Sequence, residues 1–129
     1  MFRGRKIRLL PTKEQELLFW KSAGTARWAY NFFLAENEAA YRAYLKRGKT
    51  GPRRISEGDV RKYINNKLKN TTHQWLKEVS NNVMKMAVKK ADYAVKKIHK
   101  RVAGKPKFKT KHRAKPSFYK NYEKKKKKN

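Results

Sequence analysis

Apolar residues recur at helical spacing along most of the chain. From Thr25 onward they follow one another mostly every three or four residues, at Ala26, Tyr30, Phe33, Leu34, Tyr41, Tyr44 and Leu45. The spacing predicts a long amphipathic helix that ends where the stretch KRGKTGPRR supplies two glycines and a proline. Upstream, Thr12 and Gln15 have the pattern of a capping box, so a separate helix is expected from Thr12 to a break at Gly24.

Three more helices are expected in the second half. Ser56 with Asp59 predicts one, and Thr71 or Thr72 begins a short one that carries Trp75. Ser80 caps the last, whose apolar positions repeat every three or four residues at Val83, Ala87, Ala91, Ala94, Ile98 and Val102. Its small residues predict close packing against the long helix, its other face is rich in lysine, and Gly104 is expected to end it.

Two basic segments flank the helices. Residues 2–10 alternate loosely between arginines and apolar residues and predict a short strand that Pro11 ends. After Gly104, the stretch GKPKFKTKHRAKPSF has a cation at every second position from 105 to 115. This favours a strand with one cationic face, whose prolines lie at its ends or on an edge, over a disordered basic tail. Cations about 6.6–6.8 Å apart on such a face roughly match the phosphate spacing of an extended strand of nucleic acid.

The charge of the chain indicates a polyanionic partner. Its 129 residues include 37 lysines and arginines against 9 aspartates and glutamates, a formal net charge of +28. Nucleic acid is favoured over a membrane because aromatic residues, 12% of the chain, are interleaved with the basic ones. No apolar run approaches the ~20 residues of a spanning helix, and no signal peptide begins the sequence. A cytoplasmic location is expected, with association with the nucleoid as an option.

The residues for catalysis are missing. Cysteine is absent, which excludes thiolate zinc sites and thiol catalysis. The acidic residues fall at helix starts or on polar helix faces, and the three histidines, His73, His99 and His112, lack metal-ligand spacing. We therefore expect no enzyme activity, no cofactor and no metal.

Aromatic residues are dense between positions 19 and 33. Most are expected in the core, because they recur at helical spacing. Phe19, Trp28 and Phe32 fall off the main apolar stripe, so one or two of them are candidates for exposed stacking platforms.

Three ordered blocks of the chain resemble the N-terminal part of the OrfB/TnpB family, the RNA-guided nucleases of bacterial insertion sequences. They are KIRLLPTKEQELLFWKSAGTARWAYNFFLAENEAAY, WLKEVSNNVMKMAVKKADYAVK and GKPKFKTKHRAKPSF, and together they span roughly residues 3–120. The resemblance implies a wedge-like β-barrel with a helical recognition domain inserted in it. The first block is also commonly described as a helix-turn-helix of a transposase. Family members continue into a RuvC-like nuclease domain, usually with a zinc ribbon, and this chain ends before either, so guided cleavage is not carried over.

The expected fold is α+β and mostly α. A helical bundle of four to five helices, residues 12–103, is inserted between strand segments 1–11 and 104–119 of a partial β-barrel. Residues 12–46 form the helix-turn-helix, and 120–129 a disordered lysine-rich tail.

The expected function is nucleic-acid binding by a transposase-associated fragment, through phosphates of RNA or DNA. The residues expected to bind are Arg3, Arg5, Lys6, Arg8, Arg27, Arg53, Arg54, Lys105, Lys107, Lys109, Lys111, Arg113 and Lys115. Three alternatives remain open: a stand-alone helix-turn-helix regulator of DNA, one part of a split nuclease completed by a separately encoded chain, and, less favoured, a ribosomal-type structural protein. The sequence leaves the oligomeric state open.

Overall fold

The computed structural model describes residues 4–99, 104–112 and 115–120. In these ranges the chain forms three α-helices, α1 (Lys13–Lys46), α2 (Glu57–Asn66) and α3 (Asn81–His99). Two short 3₁₀ helices, Leu68–Asn70 and Gln74–Glu78, connect α2 to α3. The short helix expected to carry Trp75 is therefore the second 3₁₀ helix.

Helix α1 begins at the capping box that the sequence predicts. The Gln15 backbone amide donates to the Thr12 hydroxyl at 3.2 Å, and the Thr12 amide donates to the Gln15 side chain at 3.0 Å. The predicted break at Gly24 is wrong, because α1 runs without interruption through this position and is 34 residues long. A lone glycine inside a helix costs only about 1 kcal/mol relative to alanine. Burial of its neighbours Ala23 and Thr25 stabilises the helical conformation there.

The core lies mainly between α1 and α3, which pack against each other as their small residues predict. Ala29 of α1 and Ala91 of α3 are completely buried, and alanines let two helices approach closely. Phe33 is the largest fully buried side chain, and Ile64 of α2 is also fully buried in the same cluster. The 3₁₀ segments add Leu68 and Leu76.

One acidic residue is buried in this framework. Asp92 on α3 is only 6% exposed and accepts from the Arg54 guanidinium at 3.0 Å and pairs with the Lys96 ammonium at 2.8 Å. Asp92 therefore ties the loop before α2 to α3. The sequence predicts acidic residues at helix starts or on polar helix faces, and Asp92 is an exception. It lies four positions after Val88 and four positions before Lys96 on the same helix.

The expected α+β fold is wrong for the described part of the chain, which contains no strand and therefore no partial β-barrel. Residues 4–11 are irregular and almost wholly exposed, and residues 104–112 and 115–120 are irregular as well. An alternating sequence forms a strand only beside another strand that accepts and donates its backbone hydrogen bonds. Here the two segments do not pair, and the second one lies on α1 instead.

Several expectations concern residues outside the described ranges. They are the first three positions of the N-terminal segment, positions 100–103 of the expected last helix, positions 113–114, and the lysine-rich tail from 121 to 129.

Candidate nucleic-acid interface

The C-terminal segment lies along α1 in the opposite direction to the helix. We call its described residues, 104–112 and 115–120, the basic strap. Lys105 is 3.4 Å from Glu38, Lys109 contacts Asn31, and the Phe118 ring lies 6.0 Å from that of Phe19. The positions contacted on α1 fall from 38 to 19 as the strap advances. The backbone of the strap is consequently held along one side of the longest helix.

Asn31 fixes the middle of the strap. Its side-chain amide nitrogen donates to the Lys109 carbonyl at 2.7 Å, and its side-chain oxygen accepts from the Lys109 backbone amide at 2.7 Å. The Asn31 side chain thus satisfies both backbone groups that a neighbouring strand would have satisfied.

The Lys109 side chain turns inward rather than into solvent. Its ammonium lies 4.4 Å from the centre of the Tyr30 ring, within cation–π range. Burial, and secondarily the nearby charge of Lys90, lower the pKa of Lys109, and burial raises the pKa of Tyr30. Phe108 is 49% exposed and Lys109 is part-buried, so the strap does not present its cations on one face as the expected strand would.

A basic groove forms where the strap crosses α1 and α3. Four cations line it, Arg27, Lys90, Lys109 and Lys115. Its apolar walls include Ala23, Ala26, Ala87 and Phe118, and no carboxylate is among its lining residues. Converging cations without a neutralising acid favour an anion such as a phosphate.

A second feature, the aromatic cluster, lies on another side of α1. We define it as Trp28, Phe32, Tyr63, His73 and Trp75. Trp28 stacks on Phe32 with ring centres 5.0 Å apart, and Phe32 is parallel to Tyr63 at 6.2 Å. Trp75 meets Trp28 edge-on at 5.6 Å, and His73 lies 5.0 Å from Trp28. The rings therefore form a continuous row from Tyr63 to Trp75.

Arg27 connects the two features. Besides the basic groove it lines a second groove, which it shares with Lys21, Trp28, Trp75 and Glu78. Glu78 in that groove is paired with Lys21 at 3.1 Å. Arg27 thus borders both the basic groove and the groove beside the aromatic rings.

The residues predicted to bind nucleic acid fall into distinct groups. Arg27, Lys109 and Lys115 come together in the basic groove. Arg54 is held by Asp92, and Lys105 by Glu38. The others in the described ranges are exposed and dispersed over the N-terminal segment, the loop before α2 and the strap, and they are Arg5, Lys6, Arg8, Arg53, Lys107 and Lys111. Arg3 and Arg113 lie outside the described residues.

Sequence reasoning missed two contributors to the site. Lys90 was placed on the cationic face of α3, but nothing in the sequence indicated that this face meets the strap. Asn31 carried no signal, since asparagine on a helix is usually a solvent-facing residue.

Neither a metal site nor a membrane span is found in the described ranges. They contain no group of three or more histidine, aspartate or glutamate residues placed to hold a metal ion. No helix there is both long enough and apolar enough to cross a bilayer.

Comparison with known proteins identifies the N-terminal third of the chain. Residues 1–46 match the model of the helix-turn-helix domain of the IS605 OrfB family, which confirms the family resemblance for this block. The match supports a DNA-binding domain of the transposase type. No curated protein and no solved structure matches the chain. Across the matched residues the structure has one continuous helix after Thr12, without a turn at Gly24.

Proposed function

We propose that this chain, whose first 46 residues match an OrfB helix-turn-helix domain, is a transposase-associated protein that binds nucleic acid mainly through phosphates. The basic groove is the centre of the interface. Arg27, Lys90 and Lys115 contact the backbone there, and the exposed Lys107 and Lys111 extend the contact along the strap. The chain carries out no catalysis of its own.

The observation that carries this proposal is that four cations line one groove, and that none of the described residues lining it is acidic. The strap is held on α1 by hydrogen bonds and ring contacts, so its lysines are positioned before a ligand arrives. Positioned cations lose less conformational entropy on binding than those of a free tail. Contacts of this kind recognise backbone and carry little sequence information.

A stand-alone regulator of duplex DNA is the second candidate, and the helix-turn-helix match favours it. In the expected docking, residues 24–34 enter the major groove as a recognition helix. However, Tyr30, Phe33 and Leu34 are buried in the core, and the strap covers Asn31. Glu36 and Glu38 follow on the same helix and would repel phosphates. This geometry supports binding to the phosphate backbone of the nucleic acid, and it argues against recognition of bases by α1.

The deciding experiment measures binding to structured RNA, single-stranded DNA and duplex DNA across a salt series. The test variant replaces Lys107, Lys111 and Lys115 by glutamine, and leaves Lys109 because it packs on Tyr30. The matched control replaces Lys46, Lys62 and Lys77, three exposed lysines away from the groove, and has the same net charge. Each phosphate contact contributes about 0.7–0.9 to the slope of log K against log salt, so the test variant should lose about 2–3 from that slope.

Equal weakening by the two triple variants would mean that only total charge matters, and it would overturn the proposed interface. Preference for one duplex sequence, with no effect of the strap variant, would establish the regulator. Cleavage of a target only after mixing with a separately encoded RuvC-like chain would instead indicate one part of a split nuclease.

A further inference from the structure

The aromatic cluster remains partly open although its inner rings pack on the core. Trp28 and Phe32 contact the core cluster, whereas Tyr63 and Trp75, the two ends of the row, are each 43% exposed. A row of rings that only closed a core would bury its ends as well. Here the inner rings support two outer rings that face solvent.

Two cations lie beside these rings. The Lys67 ammonium lies 5.8 Å from the centre of Tyr63, and Arg27 lines the groove beside Trp28 and Trp75. Glu78, the acid in that groove, is already paired with Lys21. Open rings edged by cations are the two components of a surface for single-stranded nucleic acid, since bases stack on the rings and phosphates meet the cations.

We propose that the aromatic cluster is a stacking surface for unpaired bases, so that the preferred ligand is a single strand of RNA or DNA. This inference rests on the proposed function and makes its ligand specific. The bases of a duplex are already stacked inside it, and only an unpaired strand can place its bases on Trp75 and Tyr63. Arg27 belongs to both grooves, so the backbone of the same strand can continue from the rings to the basic strap.

The test compares a fluorescently labelled thymidine oligonucleotide with an abasic oligonucleotide of the same length, about 12 nucleotides, which lies within the usual site sizes. Both probes carry the same phosphates, and only one carries bases. A uridine oligonucleotide forms a third arm, which separates RNA from DNA. The wild-type protein should bind the thymidine strand about tenfold or more tightly than the abasic strand, as expected for one or two stacked bases.

The test variant combines Tyr63→Leu with Trp75→Leu, which removes the rings and retains apolar side chains. It should lose the tenfold preference while its affinity for the abasic strand is unchanged. The matched control is Tyr93→Leu, an exposed tyrosine on α3 outside the cluster, and it should bind like the wild type.

A second measurement does not require the double variant to fold. In a Trp20→Phe background, the remaining tryptophans are Trp28 and Trp75, and both belong to the cluster. Their fluorescence should be quenched by the thymidine strand and not by the abasic one.

The possible failures are distinguishable. Equal affinity for the two strands, or equal quenching by them, overturns the stacking surface and leaves phosphate binding intact. No binding of either strand overturns the single-strand preference, and the proposed function itself fails only if structured RNA and duplex DNA are not bound either.

Discussion

Asn31 and Lys109 exchange two hydrogen bonds of 2.7 Å, from a side-chain amide on α1 to the backbone of a residue 78 positions later. This pair attaches the strap to the helical core. It also places the Lys109 ammonium over Tyr30 and beside the other cations of the groove. Asn31 is therefore one of the contacts that hold the basic groove together, beside the pairing of Lys105 with Glu38 and of Phe118 with Phe19.

Replacing Asn31 by alanine should release the middle of the strap. The Lys109 amide should lose its protection from hydrogen exchange, and the free energy of unfolding should fall by about 1–2 kcal/mol. Asn31→Asp is the comparison, because its carboxylate still accepts from the Lys109 amide but cannot donate to the Lys109 carbonyl, so only one of the two bonds remains. Exchange at Lys109 measured by NMR should be intermediate in the aspartate variant and fast in the alanine variant. Equal exchange in both would show that this bond does not hold the strap.

Gly24→Ala should stabilise the protein. The position is helical, and an added Cβ would come no closer than 3.9 Å to the Arg27 side chain, an ordinary contact. The gain should be about 0.5–1 kcal/mol, measured by urea unfolding. Gly48→Ala is the control and should destabilise, because Gly48 has a φ of +70°. A loss of stability in Gly24→Ala would indicate a turn at this position instead of the continuous helix.

Asp92→Asn should destabilise by about 2 kcal/mol, because it leaves the half-buried Arg54 guanidinium without its anionic partner. The comparison is Glu78→Gln, which breaks an exposed ion pair with Lys21 and should change stability by less than about 1 kcal/mol. Urea unfolding of both variants at neutral pH measures the difference. Equal losses of stability in the two variants would show that the buried ion pair of Asp92 is no stronger than the exposed ion pair of Glu78.

Nucleic-acid binding should raise the pKa of Lys109. In the free protein, burial and the Lys90 charge lower this pKa, so the unfolded chain binds more protons than the folded one in the interval between the lowered and the ordinary value. The contribution of Lys109 to the free energy of unfolding therefore rises with pH through that interval. A phosphate in the groove favours the charged form, so affinity should fall as the pH rises through the pKa of Lys109.

An NMR titration of the Lys109 side chain, with and without a bound oligonucleotide, measures this shift. Asn31→Ala is the informative control, because the loosened strap should bring the pKa in the free protein closer to that of an ordinary lysine. An unchanged pKa on binding would mean that the phosphates do not reach the groove.

Local features of the fold were predictable because they depend on neighbours in the chain. The capping box at Thr12 and the Ser56 cap of α2 lie where the sequence predicts them. So does the packing of α3 on α1, because helical periodicity alone tells which face of each helix is apolar. The positive charge and the family resemblance of residues 1–46 were also readable from the sequence.

The tertiary structure decided the rest. Whether Gly24 ends a helix depends on the burial of the residues around it, and whether alternating residues form a strand depends on a pairing partner elsewhere in the chain. The strap is hydrogen-bonded to Asn31 instead of to a neighbouring strand, and Asp92 is paired with Arg54 instead of facing solvent. The groove and the aromatic row join side chains separated by tens of residues, and only the packing of the helices brings them together. Sequence patterns report local backbone preferences and burial, whereas a binding surface is set by contacts between distant segments.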